Sequence, residues 1–267
     1  MVDHKTEQQF IDGFDNKRFL QLSAIQKDFI ILLNDGNSLD DDTLIQVNSR
    51  TENVPSSNQH ISDFPNVVRR LTSKPKRDVI VIFNGIEKKV SLKSGGGNSY
   101  HQEHWTYFSK LLENLEATQL EIDAFDNFIH SRDKKYFENV GEECIEWGFL
   151  SADAEFCNAH VNETNRMQGF LNRNQRELLT HFIKTGYCSE EGHAEFIFHG
   201  KKDDILSDSI FANVDSIIQN ILNADPSTSA ELHVGALTFQ RWNTCPGSEN
   251  KLNSMQCKGA SITEYMN

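Results

Sequence analysis

Proline is scarce in this chain, 5 among 267 residues, and none of its five cysteines sits in a Cys-x-x-Cys pair. Few prolines beside 18 phenylalanines describe an ordered globular chain with many helices. The odd set Cys144, Cys157, Cys188, Cys245 and Cys257 is no paired disulfide framework. With no secretory leader read at the start, it implies free thiols in a reducing cytosol, hence a cytoplasmic protein. Long apolar runs are also missing. The longest are about five to seven residues, against roughly 18 for a membrane span, so no membrane partner is expected. Positive charge is the minority: 26 Lys and Arg face 39 Asp and Glu, a net −13. That balance argues against a generally basic nucleic-acid binder. It leaves room for a local one, because counterion release needs only a local positive surface. The Gly-x-Ser-x-Gly elbow of a serine hydrolase is absent. Gly95-Gly96-Gly97 lacks the Gly-Lys-Ser/Thr ending of a phosphate loop and follows a lysine instead of preceding one.

What is present reads as alternating helices and short strands. Residues 1–14 are polar and expected to fray. Apolar spacing from Phe19 to Leu33 predicts an amphipathic helix ended by Asp35-Gly36-Asn37-Ser38. Residues 49–63 read as a loop and 65–71 as a short helix. Ser99 with Gln102 three residues later has the form of a capping box, predicting a helix whose buried stripe is Trp105, Phe108, Leu112 and Leu115. Further helices are expected over 119–149, 157–184 and 209–223, and strands at 195–199, 231–239 and 255–257. The linker candidate 224–230 is short, so the expectation is one domain over 1–267. The fold class expected is α/β (α+β): a small mixed central sheet flanked by helices.

The sharpest local signal is Asn84-Gly85, the preferred dipeptide of a two-residue type I′ hairpin turn. Asp78 to Phe83 before it is apolar and β-branched, and Ile86 to Lys93 after it alternates. A tight turn there pairs Asp78 with Ser91 on one face of the sheet. Lys93, two residues on, shares that face. A carboxylate, a hydroxyl and an ammonium then converge at the open end of the hairpin. Phosphodiester hydrolysis needs an activated water, a cation at the phosphate and relief of developing charge, and carboxylate-held Mg²⁺ with a nearby lysine supplies these.

On these residues the segment resembles the PD-(D/E)XK nuclease superfamily, and type II restriction endonucleases within it. Arg77-Asp78 stands for the first acidic element and Ser91-Leu92-Lys93 for the acid-x-Lys element. The proline before the acid is missing, Pro75 lying three places earlier, and Ser91 replaces the second acid. A variant of the superfamily carries Ser-x-Lys and takes its carboxylate from the following helix. Glu103 in Asn98-Ser99-Tyr100-His101-Gln102-Glu103 fits that part. The resemblance thus implies a restriction-endonuclease-like fold, Asp78 and Glu103 as metal carboxylates, Lys93 as the catalytic lysine and Ser91 at the vacated position. It implies Mg²⁺ as cofactor, double-stranded DNA as substrate and a homodimer as the working form. Each residue also has a plain structural reading: Asp78 as a strand flank, Lys93 as a surface lysine, Glu103 as a first-turn helix acid. Glu87 is an alternative metal carboxylate nearer the turn.

For DNA contact, Arg69, Arg70, Lys74, Lys76, Arg77, Lys88 and Lys89 cluster around the hairpin and can track phosphates. Arg166, Arg173 and Arg176 among Asn172, Asn174 and Gln175, and Gln240-Arg241-Trp242-Asn243, are candidate base readers. Rival readings are a metal-independent HEPN-type ribonuclease using Arg176 and His181, and a zinc site drawn from Cys157/His160 and Cys188/His193. The remaining rival is a non-enzymatic acidic interaction protein.

Overall fold

Helical spacing and strand alternation bury phenylalanines in each of two compact units among the described residues. The first unit comprises residues 1–98, 180–221 and 260–267, the second 99–179 and 222–259. The computed structural model describes residues 4–49, 53–55, 72–95, 98–131, 152–225, 231–241, 253–259 and 262–266. Arg69, Arg70, Trp242, Asn243, the short helix expected at 65–71 and the stretch 132–149 lie outside the described residues.

Along the chain the strands of the two main sheets are β1 (Lys17–Arg18), β2 (Leu44–Ser49), β3 (Val79–Phe83), β4 (Ile86–Ser94), β5 (Asn98–His104), β6 (Phe196–Gly200), β7 (Ile210–Asn213), β8 (Leu232–Val234), β9 (Leu237–Arg241) and β10 (Ser254–Gly259). In the first unit the order is β1-β2-β3-β4-β6-β7. Every neighbouring pair is antiparallel except β4 with β6, which is parallel. The sheet is therefore mixed, as expected, with the hairpin β3–β4 at its centre. Helices α1 (His4–Phe14) and α2 (Ala24–Leu33) cover one face. Their Phe10, Phe14, Phe29, Ile30 and Leu33 pack on Val79, Val81, Phe83, Val90, Leu92 and Phe198. Ring centroids of Phe10 and Phe29 lie 5.1 and 4.8 Å from that of Phe198, edge to face. Such aromatic pairs add to the burial energy of the rings themselves.

The N-terminal expectation is corrected here. Residues 4–14 are a helix, because Phe10 and Phe14 fall four apart on one face and both are fully buried. Polar neighbours hid a two-phenylalanine anchor.

In the second unit the sheet order is β8-β9-β10-β5. Helices α3 (Trp105–Asn114), α4 (Gln119–His130), α5 (Ala152–Ala159), α6 (Val161–Arg173) and α7 (Gln175–Leu179) complete it. Phe108, Phe125, Phe128, Phe170 and Phe239 are buried together, with Phe125 5.5 Å from Phe108 and 5.6 Å from Phe239. Gln168 of α6 pairs with the edge strand through its amide. Its Nε2 donates to the His233 carbonyl at 2.8 Å, and its Oε1 accepts from the His233 N–H at 2.9 Å.

Four other expectations shift. The helix expected from Ser99 begins at Trp105, with His104 as its N-cap, and 98–104 is strand β5. Burial of His101 and Glu103 with exposure of Gln102 and His104 is strand periodicity, and pairing with β10 overrides the capping-box pattern. The tract 157–184 is broken at His160 and Asn174 and ends in a π-helical turn at Thr180–Thr185. The segment 209–223 opens as strand β7 before helix α8 (Val214–Asn223). The strand expected over 231–239 is the hairpin β8–β9, turned at Gly235 with φ +60°.

Thr118 and Glu121 form a true capping box at the start of α4, and Arg173 Nη2 donates to Glu121 Oε2 at 2.7 Å. Chiefly through that hydrogen bond, the Glu121 carboxyl is held down at about 2, against 4.5 in an unfolded chain. A depressed carboxyl stabilises the fold fully above its unfolded value and loses that contribution as pH falls towards its folded value. Glu121→Gln should therefore cost about 1–2 kcal/mol at neutral pH, discounted because Arg173 is half exposed. The cost should vanish in urea titrations as pH drops from 4.5 towards 2. Phe10→Ala should lower stability by roughly 3–5 kcal/mol in the same assay, the cost of emptying a full core site. A frayed terminus would show almost none of it.

Candidate active-site face of the six-stranded sheet

Asn84 and Gly85 have φ of +48° and +76°, the two left-handed residues of a type I′ turn. The turn sets the β3–β4 register: Val79 opposite Val90, Ile80 opposite Lys89, Ile82 opposite Glu87. One step further, the Asp78 N–H donates to the Val90 carbonyl at 2.8 Å. Asp78 thus faces Ser91 on the side of the sheet away from α1 and α2. The contact is direct: Ser91 Oγ donates to Asp78 Oδ2 at 3.1 Å, and the Leu92 N–H donates to the same oxygen at 2.8 Å. Ser91 is buried and Asp78 half-buried. Glu87 is exposed near the turn, away from this pair.

Lys93 lies on the same face, half-buried, and pairs across the parallel ladder with His199 of β6. Among the described residues its ammonium makes no ion pair or hydrogen bond. Burying part of a lysine without an acid partner brings no packing gain that an apolar residue could not supply. His199 was not foreseen. Its strand was legible, but more than a hundred residues separate it from β4, and no local pattern fixes a parallel register over that distance.

Glu103 belongs to the second unit, on β5 rather than on a helix. Its Oε2 lies 2.7 Å from His101 Nε2, and both side chains are buried. The position two residues earlier on a strand points the same way, which is the signal that would have found His101.

The basic cluster around the hairpin is largely engaged. Lys76 Nζ donates to the Phe182 carbonyl, Arg77 Nε to that of Glu191 and Lys89 Nζ to that of Glu190, each at 2.7 Å. Lys88 lies 3.8 Å from Asp35 and over the Phe196 ring. Lys76, Arg77 and Lys89 thus tie the segment 182–191 to the sheet. Lys74 remains exposed.

The two candidate base readers fare differently. Arg173 is tied to Glu121, and Arg176 is exposed on α7. Gln240 is half-buried opposite Gln256. Arg241 is corrected from a DNA reader to an interior cation, 1% exposed. Its Nε donates to Asp153 Oδ1 at 2.5 Å, another of its nitrogens donates to Ser131 Oγ, and Phe128 and Phe156 flank the guanidinium. Strand alternation from Phe239 turns it inward, where only a paired charge is tolerated.

His181 is buried with Tyr187 edge-on at 4.6 Å, and the π-helical turn at 180–185 breaks the α-helical spacing from Arg176. Burial pushes the Cys157 and Cys188 thiols up, and among the described residues neither belongs to a group of three potential metal ligands. His193 Nε2 contacts the Cys188 carbonyl at 3.2 Å, and His160 stacks on Phe156.

No family model matches the chain, and no curated protein matches it. Among solved structures, the restriction endonuclease MspI in complex with its cognate DNA is similar, with a TM-score of 0.49 and 14% identity over 95% of this chain and 87% of that one. The reading of activity rests on the chemistry of the side chains.

Proposed function

We propose that the chain is a Mg²⁺-dependent endodeoxyribonuclease hydrolysing phosphodiester bonds of double-stranded DNA, of the sequence-specific type II restriction kind. One observation carries the reading. The central hairpin holds Asp78 against Ser91 and the Leu92 N–H, and presents on the same face a half-buried lysine with no acid partner among the described residues. Among the described residues Lys76, Lys88 and Lys89 near this hairpin meet carbonyls or a carboxylate, and Lys93 does not.

The donor set suits the ion. Mg²⁺ takes hard oxygen ligands and keeps several waters, binding through one or two carboxylates together with substrate phosphates. Asp78 supplies such a carboxylate, fixed in direction by its two donors. When bound there, Mg²⁺ would polarise the phosphate under attack. Lys93 then stabilises negative charge developing on the phosphate oxygens. Ser91 holds Asp78 in place. Glu103 keeps, as a separate proposal, the metal-carboxylate part that the Ser-x-Lys resemblance gives it. Cutting both strands of a palindrome calls for a two-fold partner, so a homodimer belongs to the same proposal. No helix among the described residues is long and apolar enough to cross a membrane.

Asp78→Ala would strand the Leu92 N–H and cost roughly 1–3 kcal/mol, mixing stability with chemistry. Asp78→Asn keeps an acceptor for that N–H and removes the charge. Asp78→Asn and Lys93→Ala should each lower cleavage of long duplex DNA by about 100-fold or more, with melting temperature little changed. EDTA should abolish cleavage, and sequenced ends should share one motif. Folded protein that leaves every duplex intact with Mg²⁺ refutes the reading. Glu103→Gln is scored separately.

A further inference from the structure

We propose that His199 is a positioning residue for Lys93, acting through Gly95. The inference rests on the reading of Lys93 as the functional lysine and deepens it.

The strand carrying Lys93 ends at Ser94, opposite Gly200, and Gly95 follows it. Gly95 has φ +68°, in the left-handed region that favours glycine. A chain leaving a strand through such a residue has little of its own to hold it. Here β6 holds it at both polar groups. The Gly95 N–H donates to the Gly200 carbonyl at 3.1 Å, and His199 Nε2 donates to the Gly95 carbonyl at 2.9 Å. A carbonyl can only accept, so Nε2 carries the proton.

Steric limits close the same corner. A Cβ on Gly200 would lie 1.9 Å from the Ile205 carbonyl oxygen, and one on Gly95 3.3 Å from Lys202 Cβ. A side chain at either glycine would crowd the corner, and the His199 imidazole bonds across it. Lys93 and His199 are paired in the ladder, so the ring braces from the neighbouring strand the backbone that aims the ammonium. A group with four rotatable bonds gains most from a fixed base, because small misplacement of a catalytic group costs rate.

The test uses full-length protein and two readouts that need no turnover. Exchange of the Gly95 amide reports the corner. The signal of Lys93 after reductive ¹³C-methylation, assigned by its loss in Lys93→Arg, reports the ammonium. His199→Phe keeps a ring and removes the donor; His199→Gln keeps a donor. His199→Phe should speed Gly95 exchange by about tenfold or more and move or broaden the Lys93 signal, and His199→Gln should restore both. In cleavage assays His199→Phe should lower kcat by about 10- to 100-fold with KM unchanged, again restored by Gln. If His199→Phe does not fold, His199→Leu is the second donor-less variant. A folded donor-less variant with wild-type exchange and Lys93 signal, or with unchanged kcat in an enzyme that cuts, overturns the inference. If the wild-type protein cuts no DNA, the nuclease reading fails alone, and the two turnover-free readouts still decide the role of His199.

Discussion

The register of one hairpin governs the rest of the first unit. Because side chains alternate along a strand, a slip of one residue of β4 against β3 would send Ser91 and Lys93 into the phenylalanine core, bring Val90 and Leu92 out and part Ser91 from Asp78. The type I′ geometry at Asn84-Gly85 forbids that slip, and the Leu92 N–H bond to Asp78 locks the other end. Apolar packing against α1 and α2 favours the same register. Local turn chemistry, a buried polar contact and core burial therefore agree, and that consistency makes a sequence specify one structure.

Much of this was legible in the sequence, for a physical reason. A two-residue turn is a local object, so its register follows from the residues beside it. The mixed sheet and the central place of β3 followed from a strand apolar on both faces. Failures came where a distant partner decides. Residues 99–104 carry a capping-box pattern, yet pairing with β10 draws them into a strand, which took Glu103 off its expected helix. Phe10 and Phe14 look isolated in a polar stretch until Phe29 and Phe198, far along the chain, supply the surface they pack on. Lys76, Arg77 and Lys89 look like a phosphate track because backbone carbonyl acceptors leave no mark in a sequence.

Charge in this protein is used mostly inward. An acidic chain with few cations spends several of them on carbonyls of 182–191, one on Glu121 and one in the interior between Phe128 and Phe156. Against that background a lysine unengaged among the described residues is informative. Lys93 stands out there by what it does not touch, a property that the spacing of a motif does not carry.

The side-chain amide of Gln168 imitates a strand. By offering His233 both a donor and an acceptor, it occupies the outermost rung of the second sheet, where an incoming extended peptide would otherwise find a ready template. The helix thereby keeps this border from recruiting another chain, so self-association of the protein, where it occurs, is steered towards other surfaces and away from edge-to-edge stacking.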